Sequence, residues 1–195
     1  AAAAAPASAA AGSAAAGSAA AGAPGRVDAL LVGTGEYTTG YGASSARTDK
    51  SAGVVALTMF DLRARGKVGR IALAGTTGDK FPAILEHMRH AIGDAYPASG
   101  YDLTVATYPA AGVTNAHAYR EALAALPRGS AVIVFTPDDT HFGIAMDAVA
   151  AGHHVLVTKP VVKTLEQHQQ LAAAAEKAGV LVAVEVHKRW DPLYT

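Results

Sequence analysis

The sequence predicts a doubly wound α/β fold, a parallel sheet of strand order 3-2-1-4-5-6 with helices on both faces. From Arg26 onward, short apolar runs alternate with amphipathic stretches, the pattern of successive βαβ units. Most of the runs are rich in Val, Ile or Leu and are bounded by Gly, Pro or polar residues, as strands buried on both faces are. The alternation repeats often enough for six strands, which sets the expected order.

Strands are expected at 27–32, 68–74, 103–107, 131–135, 154–158 and 180–186. Between them, apolar residues at helical spacing predict helices over 51–65, 81–95, 116–125, 141–151 and 165–178. Asn115 is the expected cap of the third helix, and Thr164 with Gln167 forms a capping box for the last.

Residues 1–25 hold only Ala, Gly, Ser and Pro. Without larger side chains this segment cannot offset its ordering entropy and is read as disordered. It has no Arg, Lys or bulky apolar block, so organelle targeting is the lesser reading. Residues 26–189 form one domain, and 190–195 are read as the start of a second. Lys plus Arg and Asp plus Glu both total 16, so no global basic field exists to hold nucleic acid or an anionic membrane. No run is apolar enough to span a bilayer, and the absence of cysteine excludes disulfides and thiolate metal sites and fits a reducing, cytoplasmic compartment.

The first strand ends in Val32-Gly33-Thr34-Gly35-Glu36-Tyr37-Thr38-Thr39-Gly40. Gly33 and Gly35 match the first two glycines of a dinucleotide-binding turn, one for the tight bend and one for close backbone approach to a pyrophosphate. The third glycine position is Thr38, and Gly40 comes two residues late. Taken alone, such a turn serves equally as a strand-ending loop. Tyr37 and Thr38 are expected beside the cofactor. The second strand tip reads Gly75-Thr76-Thr77-Gly78-Asp79-Lys80, with no carboxylate at its first positions. Hydroxyls from Thr76 and Thr77 with the Lys80 cation suit a 2′-phosphate, which favours NADP over NAD; a solvated loop is the other reading of Lys80. No GxxxxGK[ST] run is present, which argues against a P-loop hydrolase.

The fourth strand ends in Phe135-Thr136-Pro137-Asp138-Asp139-Thr140-His141, and the fifth is Val155-Leu156-Val157-Thr158-Lys159-Pro160, preceded by Gly152-His153-His154. In order and spacing these resemble the paired TPN..H and AG.HV..EKP motifs of the Gfo/Idh/MocA family (glucose-fructose oxidoreductase, inositol dehydrogenase, rhizopine catabolism). The resemblance covers residues 27–192 and closes on His187-Lys188-Arg189-Trp190-Asp191-Pro192, similar to the family's entry into a second domain. It implies a Rossmann domain that binds NADP or NAD and an enzyme that moves hydride between the nicotinamide and a hydroxyl-bearing carbon of a sugar, cyclitol or related compound. It further implies that Thr136, Pro137 and Asp138 border the cofactor, that Lys159 lies at nicotinamide and substrate as the catalytic group, and that His187 stands where the family places a polar side chain near the nicotinamide. Asp138 replaces the usual Asn and Thr158 the usual Glu, and residues 41–50, with Arg47 and Lys50, form an insert.

His141 opens a predicted helix; its ring either faces the nicotinamide ribose or is a polar residue of the first turn. His87 with His90, and His153 with His154, lack matched carboxylate or Cys partners, so no metal is expected. Family members carry a second, α+β domain that supplies substrate contacts and the oligomer interface. The stop after Trp190-Asp191-Pro192 and the absent initiating Met read as a fragment, expected to be inactive alone. A non-catalytic dinucleotide-binding or regulatory module is the competing function.

Overall fold

The computed structural model describes residues 25–42 and 50–193. Six strands, β1 (Val27–Val32), β2 (Val68–Ala74), β3 (Ala106–Tyr108), β4 (Ala131–Val134), β5 (His154–Thr158) and β6 (Val182–Glu185), alternate with six α-helices. These are α1 (Glu36–Thr39), α2 (Val54–Ala64), α3 (Phe81–Met88), α4 (Ala118–Ala125), α5 (Asp138–Ala150) and α6 (Leu165–Ala178). Every strand pairing is parallel, and the order is β3-β2-β1-β4-β5-β6, the predicted one.

The two-residue side-chain period sorts the sheet into two cores. Leu30 and Val32 of β1 pack with Val132, Val134, Val155 and Val157 under α4, α5 and α6. Ala29 and Leu31 face the other way, with Ile71, Leu73 and Ile133, under Phe60 of α2 and Phe81, Ile84 and Met88 of α3. Leu30 and Leu31 are fully buried, each contributing roughly 1.5–3 kcal/mol of burial. This division turns the chain around at β1 and β4, and their neighbouring tips open the crevice where an open α/β sheet binds ligands.

Several boundaries differ from expectation. The third strand is short and late: Leu103 and Val105 pack on the core, but the ladder to β2 runs only over Ala106–Tyr108. The third predicted helix loses its first two residues, because Asn115 Oδ1 accepts from the His117 amide in a local turn, and no side chain caps α4. The fourth starts earlier, at Asp138, since Asp138 and Asp139 suit the positive end of a helix. The long helix predicted over 81–95 is α up to Met88 and a π turn over Arg89–Asp94. The one-turn α1 lies in a stretch read as a turn. The forward half of the capping box is present, Thr164 Oγ1 accepting from the Gln167 amide, while Gln167 Oε1 accepts from the Lys163 amide, one residue before the cap. Residues 1–24 and Arg47 lie outside the described residues.

Candidate functional site

The Gly turn after β1 is held from both sides. The Gly33 amide donates to Ala74 O of β2 (2.9 Å), and the Phe135 amide donates to Val32 O (2.9 Å). Gly33 has φ +99°, and a Cβ there would stand 2.1 Å from Phe135 O. Only glycine therefore allows the turn this close to the β4 tip. Gly35 precedes α1 with φ −75° and has no heavy atom near its Cβ position, so its exposed backbone is open to a ligand. Thr39, rather than Thr38, braces the turn: its hydroxyl donates to Thr34 O (3.0 Å).

The second tip is shaped by the 109–115 loop. The Asn115 amide donates to Thr76 O (2.8 Å), and Gly78 lies against Ala110 O, where a Cβ would come within 1.9 Å. Asp79 Oδ1 accepts from the Gly112 amide (2.6 Å), which commits the nearest carboxylate to this loop.

Between the tips of β1, β2 and β4 and the helices α4 and α5 lies a cavity of about 580 Å³, within the range of cofactor sites. Gly33, Thr34 and Gly35 form one wall, Gly75 and Thr76 a second, Phe135, Thr136 and Pro137 a third, and His117, Tyr119 and Arg120 a fourth. Tyr119 is buried, and its hydroxyl donates to Asp147 Oδ2 (2.7 Å), which also accepts from Arg120 Nε (2.8 Å). Burial, then the bond to Asp147, raises the Tyr119 phenol above its ordinary value. Burial works against the Asp147 carboxylate, but the bonds from Tyr119 and Arg120 outweigh it and hold it below the usual range. This tied group fixes the inner edge of α4 against α5. Asp139 also borders the cavity and pairs with Lys163, whose hydrogen bond keeps its carboxyl low. With two carboxylates in its first turn, α5 does not present an anion site.

Of the residues expected from sequence, the cavity gathers Gly33, Gly35, Thr76, Thr136 and Pro137. Others lie elsewhere. Thr38 is 2% exposed and faces inward. Tyr37 reaches the site through Phe135, on which it stacks at 5.2 Å. Lys80 is exposed at the end of a 3-10 turn, outside the cavity lining. Asp138 is exposed on the first turn of α5, and Lys159 is exposed at the end of β5; neither lines the cavity. The backbone of His187 begins a 3-10 turn after β6, and its side chain lies outside the described residues.

His141 corrects an expectation. Its ring is fully buried and does not face the crevice. Nδ1 is 2.8 Å from Pro160 O and Nε2 is 2.9 Å from Thr136 O. The helix begins three residues before His141, so the ring turns inward beneath the β4 and β5 tips instead of standing at the helix end.

His117, Tyr119 and Arg120 were missed from sequence. Tyr119 read as one apolar position of a helix, and only the crossover from β3 to β4 carries that helix over the crevice. A second depression, about 780 Å³, opens at the opposite edge beside Arg26, Asp28, Arg63 and Arg70. There Arg70 pairs with buried Asp28 (2.8 Å) and Arg63 with Asp102 (3.3 Å), so its acids are internally satisfied. It also lies at the amino ends of the strands, away from the ligand edge.

A profile of the family described as "Oxidoreductase family, NAD-binding Rossmann fold" (Gfo/Idh/MocA) matches residues 70–186. The oxidoreductase YdgJ of Escherichia coli is 42% identical over 65 residues, 33% of this chain and 19% of that protein. The scyllo-inositol 2-dehydrogenase (NADP(+)) IolW of Bacillus subtilis is 42% identical over 60 residues, 31% of this chain and 17% of that protein. In fold, the chain is similar to an NAD binding oxidoreductase from Klebsiella pneumoniae (TM-score 0.55, 22% identity, 87% of this chain and 37% of that one). It is likewise similar to a Synechocystis biliverdin reductase solved with biliverdin and NADP+ (TM-score 0.52, 20% identity, 84% and 38%). The chain thus spans under two fifths of these structures, and its matches cover about a fifth of these curated relatives. With this profile match over most of the sheet and a crevice built at the β1 and β4 tips, the chain belongs to the Gfo/Idh/MocA oxidoreductase family and carries its NAD(P)-binding Rossmann fold.

Proposed function

We propose that this chain is the cofactor domain of an NADP-preferring dehydrogenase acting on a CH–OH group of a sugar, cyclitol or related polyol. The observation that carries the proposal is the crevice itself: a turn where only Gly33 fits, facing an apolar-walled cavity of dinucleotide scale. The residues present fit the cofactor. Gly33–Gly35 would offer backbone to the pyrophosphate, Thr76 would hold the adenosine ribose, and the Thr136-Pro137 turn would border the nicotinamide end. When bound, the nicotinamide supplies the hydride acceptor or donor.

The protein's own share is to bind, orient and manage the proton. Lys159, at the β5 tip beside the β4 tip, is the group proposed to exchange a proton with the substrate hydroxyl. The NADP preference is supported by the second strand tip, which carries no carboxylate over Gly75-Thr76-Thr77. Thr76 and the basic Arg120 both border the cavity, and an NADP-dependent inositol dehydrogenase is among the relatives. A sugar or polyol substrate, a homo-oligomer formed through a second domain, no nucleic-acid or membrane partner and a cytoplasmic location belong to the same proposal; among the described residues no helix is long and apolar enough to cross a membrane.

A non-catalytic dinucleotide-binding module is the second reading, favoured by the exposure of Lys159 and by Thr158 in place of glutamate. Calorimetric titration of the folded chain with NADP and NAD tests the first claim, and absence of saturable binding to either removes it. Oxidation of inositols, aldoses and uronic acids by the protein with its second domain separates the two readings.

A further inference from the structure

The ladder between β4 and β5 ends at Val134↔Val157. Beyond it both strands run into proline, Thr136-Pro137 on one side and Lys159-Pro160 on the other. Proline has no N–H, so neither tip can be extended by a further backbone donor at that residue. Between these tips sits the ring of His141, fully buried in the first turn of α5, with Nε2 2.9 Å from Thr136 O and Nδ1 2.8 Å from Pro160 O. Carbonyl oxygens only accept, so a ring nitrogen that carries a proton donates to the tip it faces.

We propose that His141 is a positioning residue, a strut that ties the Thr136 wall of the cofactor crevice to the turn carrying Lys159 and so holds that lysine beside the β4 tip. This rests on the reading of Lys159 as the proton-exchanging group. The imidazole takes over where the sheet ladder stops, and each nitrogen serves one tip. A rigid ring fixes the spacing of the two tips, and burial leaves no water to replace either bond.

Side-chain stereochemistry gives a test that separates the two arms. An asparagine amide nitrogen falls near the Nδ1 position and a glutamine amide nitrogen near the Nε2 position. His141→Asn is expected to keep the bond to Pro160 O and lose that to Thr136 O, and His141→Gln the reverse. Amide hydrogen exchange of the chain without cofactor reads this directly. Residues 159–163 should exchange about tenfold faster in His141→Gln and near the wild-type rate in His141→Asn, with the opposite pattern at 136–140. In reductively ¹³C-methylated protein, with the Lys159 resonance assigned by Lys159→Arg, the shift produced by NADP should persist in His141→Asn and be lost in His141→Gln. Val149→Ala, which loosens the buried face of α5 without touching either carbonyl, should leave that shift in place. His141→Phe removes both bonds if it folds; the Asn/Gln pair decides the matter if it does not. Equal effects of Asn and Gln on the two tips, or unchanged exchange in a folded His141→Phe, overturn the strut. Failure of the function proposal is a different result: the wild-type chain binds no NADP while the Asn/Gln split in exchange remains.

Discussion

Replacing Gly33 with alanine puts a methyl group where the β1 turn and the β4 tip meet. Its Cβ would lie 2.1 Å from Phe135 O and 2.8 Å from Phe135 C, both backbone atoms that no rotamer change can move. The two segments must part by roughly 1 Å to restore ordinary contact, which strains the bonds from the Gly33 amide to Ala74 O and from the Phe135 amide to Val32 O. The φ of +99° adds its own penalty for any residue with a side chain. Overpacking costs about 1–3 kcal/mol and the backbone conformation a similar amount, so a loss of about 3 kcal/mol or more is expected. For a chain of this size that corresponds to roughly 6–12 °C in Tm. Gly35→Ala is the control, because its φ of −75° suits alanine and no heavy atom lies within 4 Å of the added Cβ. Its stability should change by less than about 1 kcal/mol, while NADP affinity falls at least about tenfold because the methyl occupies the pyrophosphate approach. Urea midpoints at constant m-value, with calorimetric titration of both variants, measure the two effects. An unchanged midpoint in Gly33→Ala, or equal losses of stability in both variants, refutes the division of the turn into a packing glycine and a ligand glycine.

Three further outcomes are expected. NADP should bind more tightly than NAD, and Thr76→Val should narrow the gap, whereas Lys80→Ala, outside the cavity lining, should leave the ratio of dissociation constants unchanged at fixed salt. His153 is buried with Nδ1 unpartnered, and burial holds its folded pKa below the ordinary 6.5; the unfolded chain therefore binds the proton more readily, so stability is full above about pH 6.5 and falls as pH drops below it. Urea midpoints at pH 7.5 and 5.5 should differ less in His153→Gln than in wild type, and identical slopes would count against this source of acid sensitivity. In the protein with its second domain, Lys159→Ala should lower turnover by roughly 100-fold, the scale of a positioned acid-base group, with NADP affinity retained; full activity in that variant would show that the family's lysine role does not transfer here.

Much of the architecture is determined by the sequence itself, because a strand buried on both faces is a near-continuous apolar run and so announces itself locally. Val27–Val32, Val68–Ala74 and His154–Thr158 coincide with their expected spans, and the strand order follows from their alternation with helices. The edge strands β3 and β6 are where boundaries slip, since an edge residue such as Val184 stays 38% exposed and its apolar character says little about the ladder. In the crevice, Gly33, Gly35, Thr76, Thr136 and Pro137 were legible because each follows a strand end in sequence, and strand ends of a doubly wound sheet converge. Tertiary structure alone decided the rest. Tyr119 and Arg120 reach the cavity only through the crossover that lays α4 over the sheet, and the docking of α5 on β4 and β5 turns His141 from an expected cofactor neighbour into a buried tie between two carbonyls. Local sequence records how apolar a segment is, whereas the direction a polar side chain takes depends on which distant backbone needs a donor once the layers have packed.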